Sequence, residues 1–105
     1  TVHISNDSIL NYGSLQIDTN NHRVVRDGVT VDLTVREYAI LEYLVRNRNI
    51  VVTREQIRAN IWSIDDDINS NVVDVYIRYL RRKIDDPFEE KLIHTIRGVG
   101  YRLEC

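Results

Sequence analysis

Cysteine is nearly missing from this sequence: Cys105, the last residue, is the only one. A single cysteine forms no internal disulfide and leaves a Cys/His zinc cluster without its sulfurs. The expectation is a cytoplasmic domain with no metal and no cofactor. Long apolar runs are also missing. None approaches the roughly 20 residues that a bilayer-spanning helix needs, and no basic-then-apolar opening resembles a signal peptide. Catalytic signatures are missing in turn. His3, His22 and His94 fall in a tail, a turn and a hairpin strand, whereas catalysis needs titratable groups that converge. No nucleophile elbow, phosphate-binding glycine loop or metal-ligand spacing is present, so an enzyme is not expected. Finally, positive charge is not in excess. Fourteen Lys and Arg against 16 Asp and Glu give a net charge of −2 and a pI near 5.9. A nucleic-acid binder is usually basic, so any such role has to rest on where the charges lie.

What is there is an ordinary globular mixture, 43% hydrophobic and 29% charged, in 105 residues that suit one domain. Thr1 to Ser8 is polar and patternless and is expected to be linker, with the domain proper at 9–105. From Ile9 to Leu33, short apolar runs alternate with turn residues: Gly13-Ser14, Asn20-Asn21 and Asp27-Gly28. Asp-Gly between two valine pairs is a strong hairpin signal. The segment predicts an antiparallel sheet of about four strands.

Helices follow, and their starts are well marked. Thr34 to Glu37 and Thr53 to Gln56 both fit a capping box, in which a Thr hydroxyl and a Glu or Gln side chain satisfy each other's backbone amides. Tyr38, Leu41, Leu44 and Val45 continue the first helix to about Asn47, and Ile50–Val52 reads as a short strand. The second helix runs through Ile57 and Ile61 to about Trp62. An acidic loop, Ser63 to Asn69, precedes a third helix capped by Ser70 or Asn71 and stopped near Ile84 by Asp85-Asp86-Pro87. Leu92–Ile96 and Tyr101–Leu103 read as strands around Arg97-Gly98-Val99-Gly100, whose glycines permit positive φ.

At about 100° per residue, Val73, Ile77, Leu80 and Ile84 form one apolar stripe of the third helix. Asn71, Val75, Arg78, Tyr79 and Arg82 lie opposite, with Asp74 and Arg81 on one flank. Arg78, Arg81, Arg82 and Lys83 concentrate positive charge there, while acidic residues cluster at Asp65–Asp67 and Asp85-Asp86. An α-helix fits a DNA major groove. Arginine pairs with guanine or phosphate, asparagine with adenine, and a small apolar side chain with the thymine methyl. A basic face also serves solubility alone, Tyr76 and Tyr79 also fit flank packing, and an arginine at a hairpin tip also fits a solvated turn. The order joins these features: three helices, the third basic on its outer face, then a hairpin with Arg97 near its tip, is a winged-helix arrangement. A protein-interaction module of the same shape is the alternative, and the arginines argue against it.

Asn71 to Lys83 and Thr95 to Tyr101 together resemble the winged helix-turn-helix effector domains of OmpR/PhoB-type response regulators. Leu33-Thr34, Glu37-Tyr38, Leu41, Leu44, Thr53 to Ile57 and Trp62 add matching positions, so the resemblance covers about residues 9 to 104. It implies an α+β fold: a four-stranded antiparallel sheet, three helices and a C-terminal β-hairpin wing. It implies sequence-specific binding of double-stranded DNA by the output domain of a two-component regulator of transcription. The recognition helix would be about 70–84 and the wing 92–103. Positions matching Asn71, Val72, Val75, Tyr76, Arg78, Tyr79, Arg81 and Arg82 would approach bases or phosphates. Thr95, Arg97 and Tyr101 would lie on the wing beside the backbone and minor groove. Trp62 matches a position near the DNA backbone or buried beneath it. Asp65, Asp66 and Asp67 occupy a segment that touches RNA polymerase in some relatives, or form a solvated loop. Family membership further implies a receiver domain upstream and dimers on direct-repeat half-sites. The sequence departs from the pattern at Tyr79, where many relatives carry arginine, and at Asn71 and Val72, where some carry arginine and threonine. These departures bear on the target sequence.

Overall fold

Asp27 and Gly28 hold φ of 52° and 80°, the two positive angles that a tight two-residue hairpin demands and that Asp-Gly supplies at little steric cost. In the computed structural model, which describes residues 9–63 and 71–104, that turn joins the last two strands of an antiparallel sheet. Its strands are β1 (Ile9–Tyr12), β2 (Leu15–Asp18), β3 (Arg23–Arg26) and β4 (Val29–Val31), paired in chain order. Side chains alternate across the sheet. Leu15, Ile17, Val24 and Arg26 are buried, while Gln16 and Arg23 face outward.

Both capping boxes form. Thr34 caps α1 (Val35–Arg46), and Glu37 Oε1 accepts the Thr34 N–H at 2.9 Å. Thr53 caps α2 (Arg54–Ile61), and Gln56 Oε1 accepts the Thr53 N–H at 2.9 Å. Thr53 also ends a two-residue strand, β5 (Val52–Thr53). The expected strand at Ile50–Val52 is therefore shifted toward the C-terminus. Asn49 takes a φ of 67° and Ile50 N–H bonds to Asn47 O at 3.1 Å, so a turn uses the first of those residues. The third helix, α3 (Val72–Ile84), starts at Asn71 without a side-chain cap. The predicted stripe faces inward: Val73, Ile77, Leu80 and Ile84 are all buried, against Tyr38, Ile40, Leu41 and Leu44 of α1 and Ile57 of α2 within one apolar cluster. Each such aliphatic side chain stabilises the fold by roughly 1.5–3 kcal/mol.

The chain ends in the hairpin of β6 (Ile93–Ile96) and β7 (Gly100–Leu103), and β7 also pairs with β5 to give a second sheet of order β5-β7-β6. The two wing glycines do different jobs, which corrects the shared role expected of them. Gly98 adopts φ 74° at the turn. Gly100 lies opposite Thr53 in the β5–β7 pair. A Cβ there would fall onto the Val52 carbonyl oxygen and within 2.8 Å of Thr53 Cα, so glycine is required for close approach.

The first sheet is fastened to α3 by a buried arginine. Arg26 Nε donates to Ser14 Oγ at 2.8 Å, Nη1 to Ile84 O at 2.5 Å and to Asp85 Oδ1 at 3.3 Å, and Nη2 to Glu90 O at 2.5 Å. Asp85 in turn accepts the N–H groups of Leu92 and Ile93, both at 3.0 Å. Helix α3 thus ends at Ile84, three residues before Pro87, where its C-cap Asp85 is drawn inward to join helix, sheet and wing. A buried charge is tolerated only when paired and hydrogen-bonded, and both charges here are.

Candidate nucleic-acid interface

The inward stripe of α3 fixes what the helix shows outside. Asn71, Arg78, Tyr79 and Arg82 are exposed, and Val72, Val75, Tyr76 and Arg81 are half-buried. Beside them, Thr95 and Arg97 are exposed on the wing, while Tyr101 is buried. The structure therefore brings Asn71, Val75, Arg78, Tyr79 and Arg82 onto one open helix face, with Arg97 at the neighbouring hairpin. Trp62 lies outside that open set. Its indole is only 8% exposed and lies under Arg36, whose Cζ sits 5.1 Å from the ring, which supports the buried position of the two expected for it. Asp65, Asp66 and Asp67, like residues 1–8, lie outside the described residues.

The cations of α3 and the wing divide into two kinds. Arg78, Arg82 and Arg97 make no hydrogen bond or ion pair with the described residues. Lys83 instead donates to Glu37 Oε1 at 2.6 Å, tying the end of α3 to the start of α1. Arg81 donates to Thr95 Oγ1 at 2.5 Å and to Ile93 O at 3.2 Å, bracing the wing against α3.

A second brace joins three elements. The Tyr101 hydroxyl of β7 donates to Asp74 Oδ1 of α3, and Arg54 Nε at the start of α2 reaches the same oxygen at 2.7 Å. The Arg54 and Arg81 guanidiniums sit 5.2 and 5.6 Å from the Tyr101 ring centre. Partial burial pushes the Asp74 carboxyl up, but the Tyr101 hydroxyl and Arg54 outweigh it and hold it below its ordinary value. Burial, and then the Asp74 carboxylate, raise the Tyr101 phenol, and the hydrogen bond to Asp74 raises Arg54. Glu37 behaves like Asp74: burial raises it, and Lys83 with the Thr34 N–H and hydroxyl bring it below its usual value.

Sequence reasoning missed Arg54 and gave Asp74 only a flank position. The signal for both is the β5–β7 pairing, which local patterning does not reveal. Among the described residues no group of three His, Cys, Asp or Glu converges as metal ligands, and no helix is long and apolar enough to cross a membrane.

The four-stranded sheet, three helices, terminal hairpin and cationic outer face of the third helix define a winged-helix domain of the nucleic-acid-binding type. The comparisons with known proteins agree. The family model described as "Transcriptional regulatory protein, C terminal" matches residues 28–103, and the chain belongs to that family, the winged-helix domains of OmpR/PhoB-type response regulators. Response regulator ArlR of Staphylococcus saprophyticus is 46% identical over 94 residues, 90% of this chain and 43% of that protein. The response regulator DrrB of Thermotoga maritima, an OmpR/PhoB homolog, superposes with a TM-score of 0.82 at 35% identity, covering 93% of this chain and 45% of DrrB. The Klebsiella pneumoniae RstA DNA-binding domain, solved in complex with the RstA box, superposes with a TM-score of 0.79 at 30% identity, covering 90% of this chain and 95% of that one. The chain spans about two fifths of the length of the curated relatives it matches.

Proposed function

We propose that this chain binds double-stranded DNA sequence-specifically as the output domain of a two-component response regulator that controls transcription. Helix α3 enters the major groove with Asn71, Val75, Arg78, Tyr79 and Arg82 toward base edges and phosphates, and Val72 and Tyr76 flank that contact. The hairpin 92–103 lies over the adjacent minor groove, whose narrow A·T-rich stretches attract arginine, with Arg97 at its tip. Thr95, Tyr101 and Arg81 set the wing angle beside the phosphates, and Trp62 supports the helix from behind. Two copies occupy direct-repeat half-sites as a dimer, brought together by an upstream receiver domain. The acidic Asp65–Asp67 segment is proposed to face a basic partner surface, for which RNA polymerase is the candidate.

The observation that carries this reading is that Arg78 and Arg82 on the outer face of α3, and Arg97 on the neighbouring hairpin, make no hydrogen bond or close ion pair with the described residues. The relative solved with the RstA box supports it by its shared fold. Selection of bound sequences from a random duplex pool tests it, and should return one recurring half-site at a fixed spacing. A pool that stays random while the folded domain captures protein instead favours the interaction module.

A further inference from the structure

Beside the outer-face arginines of α3 lies an apolar ridge. Val75 and Tyr79 are four residues apart, one above the other on the same face, flanked by Arg78 and Arg82 at the same spacing. Tyr79 is 40% exposed, one of the few large apolar side chains left open to solvent. Its ring is nevertheless held in place. Tyr76 meets it edge-on, with centroids 5.6 Å apart at 75°, and Trp62 meets Tyr76 edge-on at 5.4 Å and 66°. Arg36 of α1 lies over Trp62 and donates from Nη1 to Ile61 O at 3.0 Å. This column runs from α1 through the C-cap of α2 to the outer face of α3. Edge-to-face contacts favour one relative orientation of neighbouring rings, so Tyr79 is presented to the groove in a set direction.

We propose that Tyr79 is a specificity-determining residue that recognises thymine through its C5-methyl group, together with Val75, and that Tyr76 and Trp62 are positioning residues acting through it. The proposal rests on the DNA-binding reading above. Thymine is the base that offers an apolar group on the major-groove edge. Neither Val75 nor Tyr79 makes the two-pronged hydrogen bond by which arginine selects guanine. A valine methyl beside a fixed phenol ring forms an apolar surface that matches the thymine methyl and wastes the polar edge of cytosine.

The experiment takes the half-site returned by selection and replaces each thymine singly by deoxyuridine, which removes only the methyl group. Affinities are measured for the wild-type chain and for Tyr79→Phe, Tyr79→Ala, Tyr76→Leu and Trp62→Phe, with thermal unfolding of each variant to follow the fold. Removing one buried methyl-sized group is expected to weaken binding about fourfold. That loss should appear at one thymine in the wild type, persist in Tyr79→Phe, vanish in Tyr79→Ala, shrink in Tyr76→Leu and survive in Trp62→Phe. Salt-dependent duplex binding should remain in all of them. The thymine proposal is overturned if no deoxyuridine position depends on residue 79, or if Tyr79→Phe loses as much as Tyr79→Ala, which would assign the contact to the hydroxyl. Loss of all salt-dependent binding by the wild type would instead overturn the DNA reading beneath it.

Discussion

Two arginines of this chain stand in opposite situations. Arg26 is 1% exposed, and its guanidinium is met by a hydroxyl, two carbonyls and the Asp85 carboxylate. Arg78, on the outer face of α3, is exposed and makes no hydrogen bond or ion pair with the described residues. The same side chain is a structural tie in one region and an open donor set in the other. The comparison teaches why a net charge of −2 is a poor guide to this molecule. Charge is tied up in close ion pairs and hydrogen bonds where sheet, helix and wing meet, and left without such close partners among the described residues along one face.

Arg26→Met breaks that comparison most severely. It strands Asp85 without its counter-charge, and removing one partner of a buried pair costs about 3–5 kcal/mol. Denaturant unfolding should show that loss, whereas Arg78→Ala should change stability by no more than about 0.5 kcal/mol. Equal losses in the two variants would mean that Arg78 is structural. For DNA the ranking reverses: Arg78→Ala should lose about 1–3 kcal/mol of binding to the selected site, read by titration of a labelled duplex.

Arg81 lies between the extremes, because its hydrogen bonds go to Thr95 and Ile93. Arg81→Ala should weaken duplex binding by on the order of 1 kcal/mol while leaving the order of preferred half-sites unchanged. A changed preference would show that it reads a base. The smallest effect is an acid one. Glu37 and Asp74 are held below their ordinary values of 4.5 and 3.8, so folding favours their ionised forms. Their contribution is complete above those values and is lost as pH falls through the lowered ones. Melting temperatures at pH 7 and pH 3 should therefore differ more in the wild type than in Glu37→Gln. The same difference in both would remove Glu37 from the acid response.

What the sequence made legible follows from distance along the chain. Both capping boxes, the inward stripe of α3 and the Asp27-Gly28 turn are local patterns, decided within about one helical turn. The class of the interface was legible for the same reason, since Asn71 to Arg82 lie on one helix. Contacts across the fold were not. Arg26 and Asp85 are 59 residues apart, Lys83 and Glu37 are 46 apart, and Tyr101 and Asp74 are 27 apart. Nothing local separates Lys83, taken up by Glu37, from Arg82, which has no such partner among the described residues. Gly100 likewise needed the β5–β7 pairing before its role was visible.

The most direct test of the open arginine face is the salt dependence of duplex affinity, compared between the wild-type chain and Arg78→Ala/Arg82→Ala/Arg97→Ala. Each phosphate neutralised contributes about −0.9 to the log–log slope. A steep negative slope in the wild type, shallower by about 1 to 3 in the triple variant, is the predicted result. Equal slopes and equal affinities in the two proteins would contradict it and place the DNA-binding surface elsewhere.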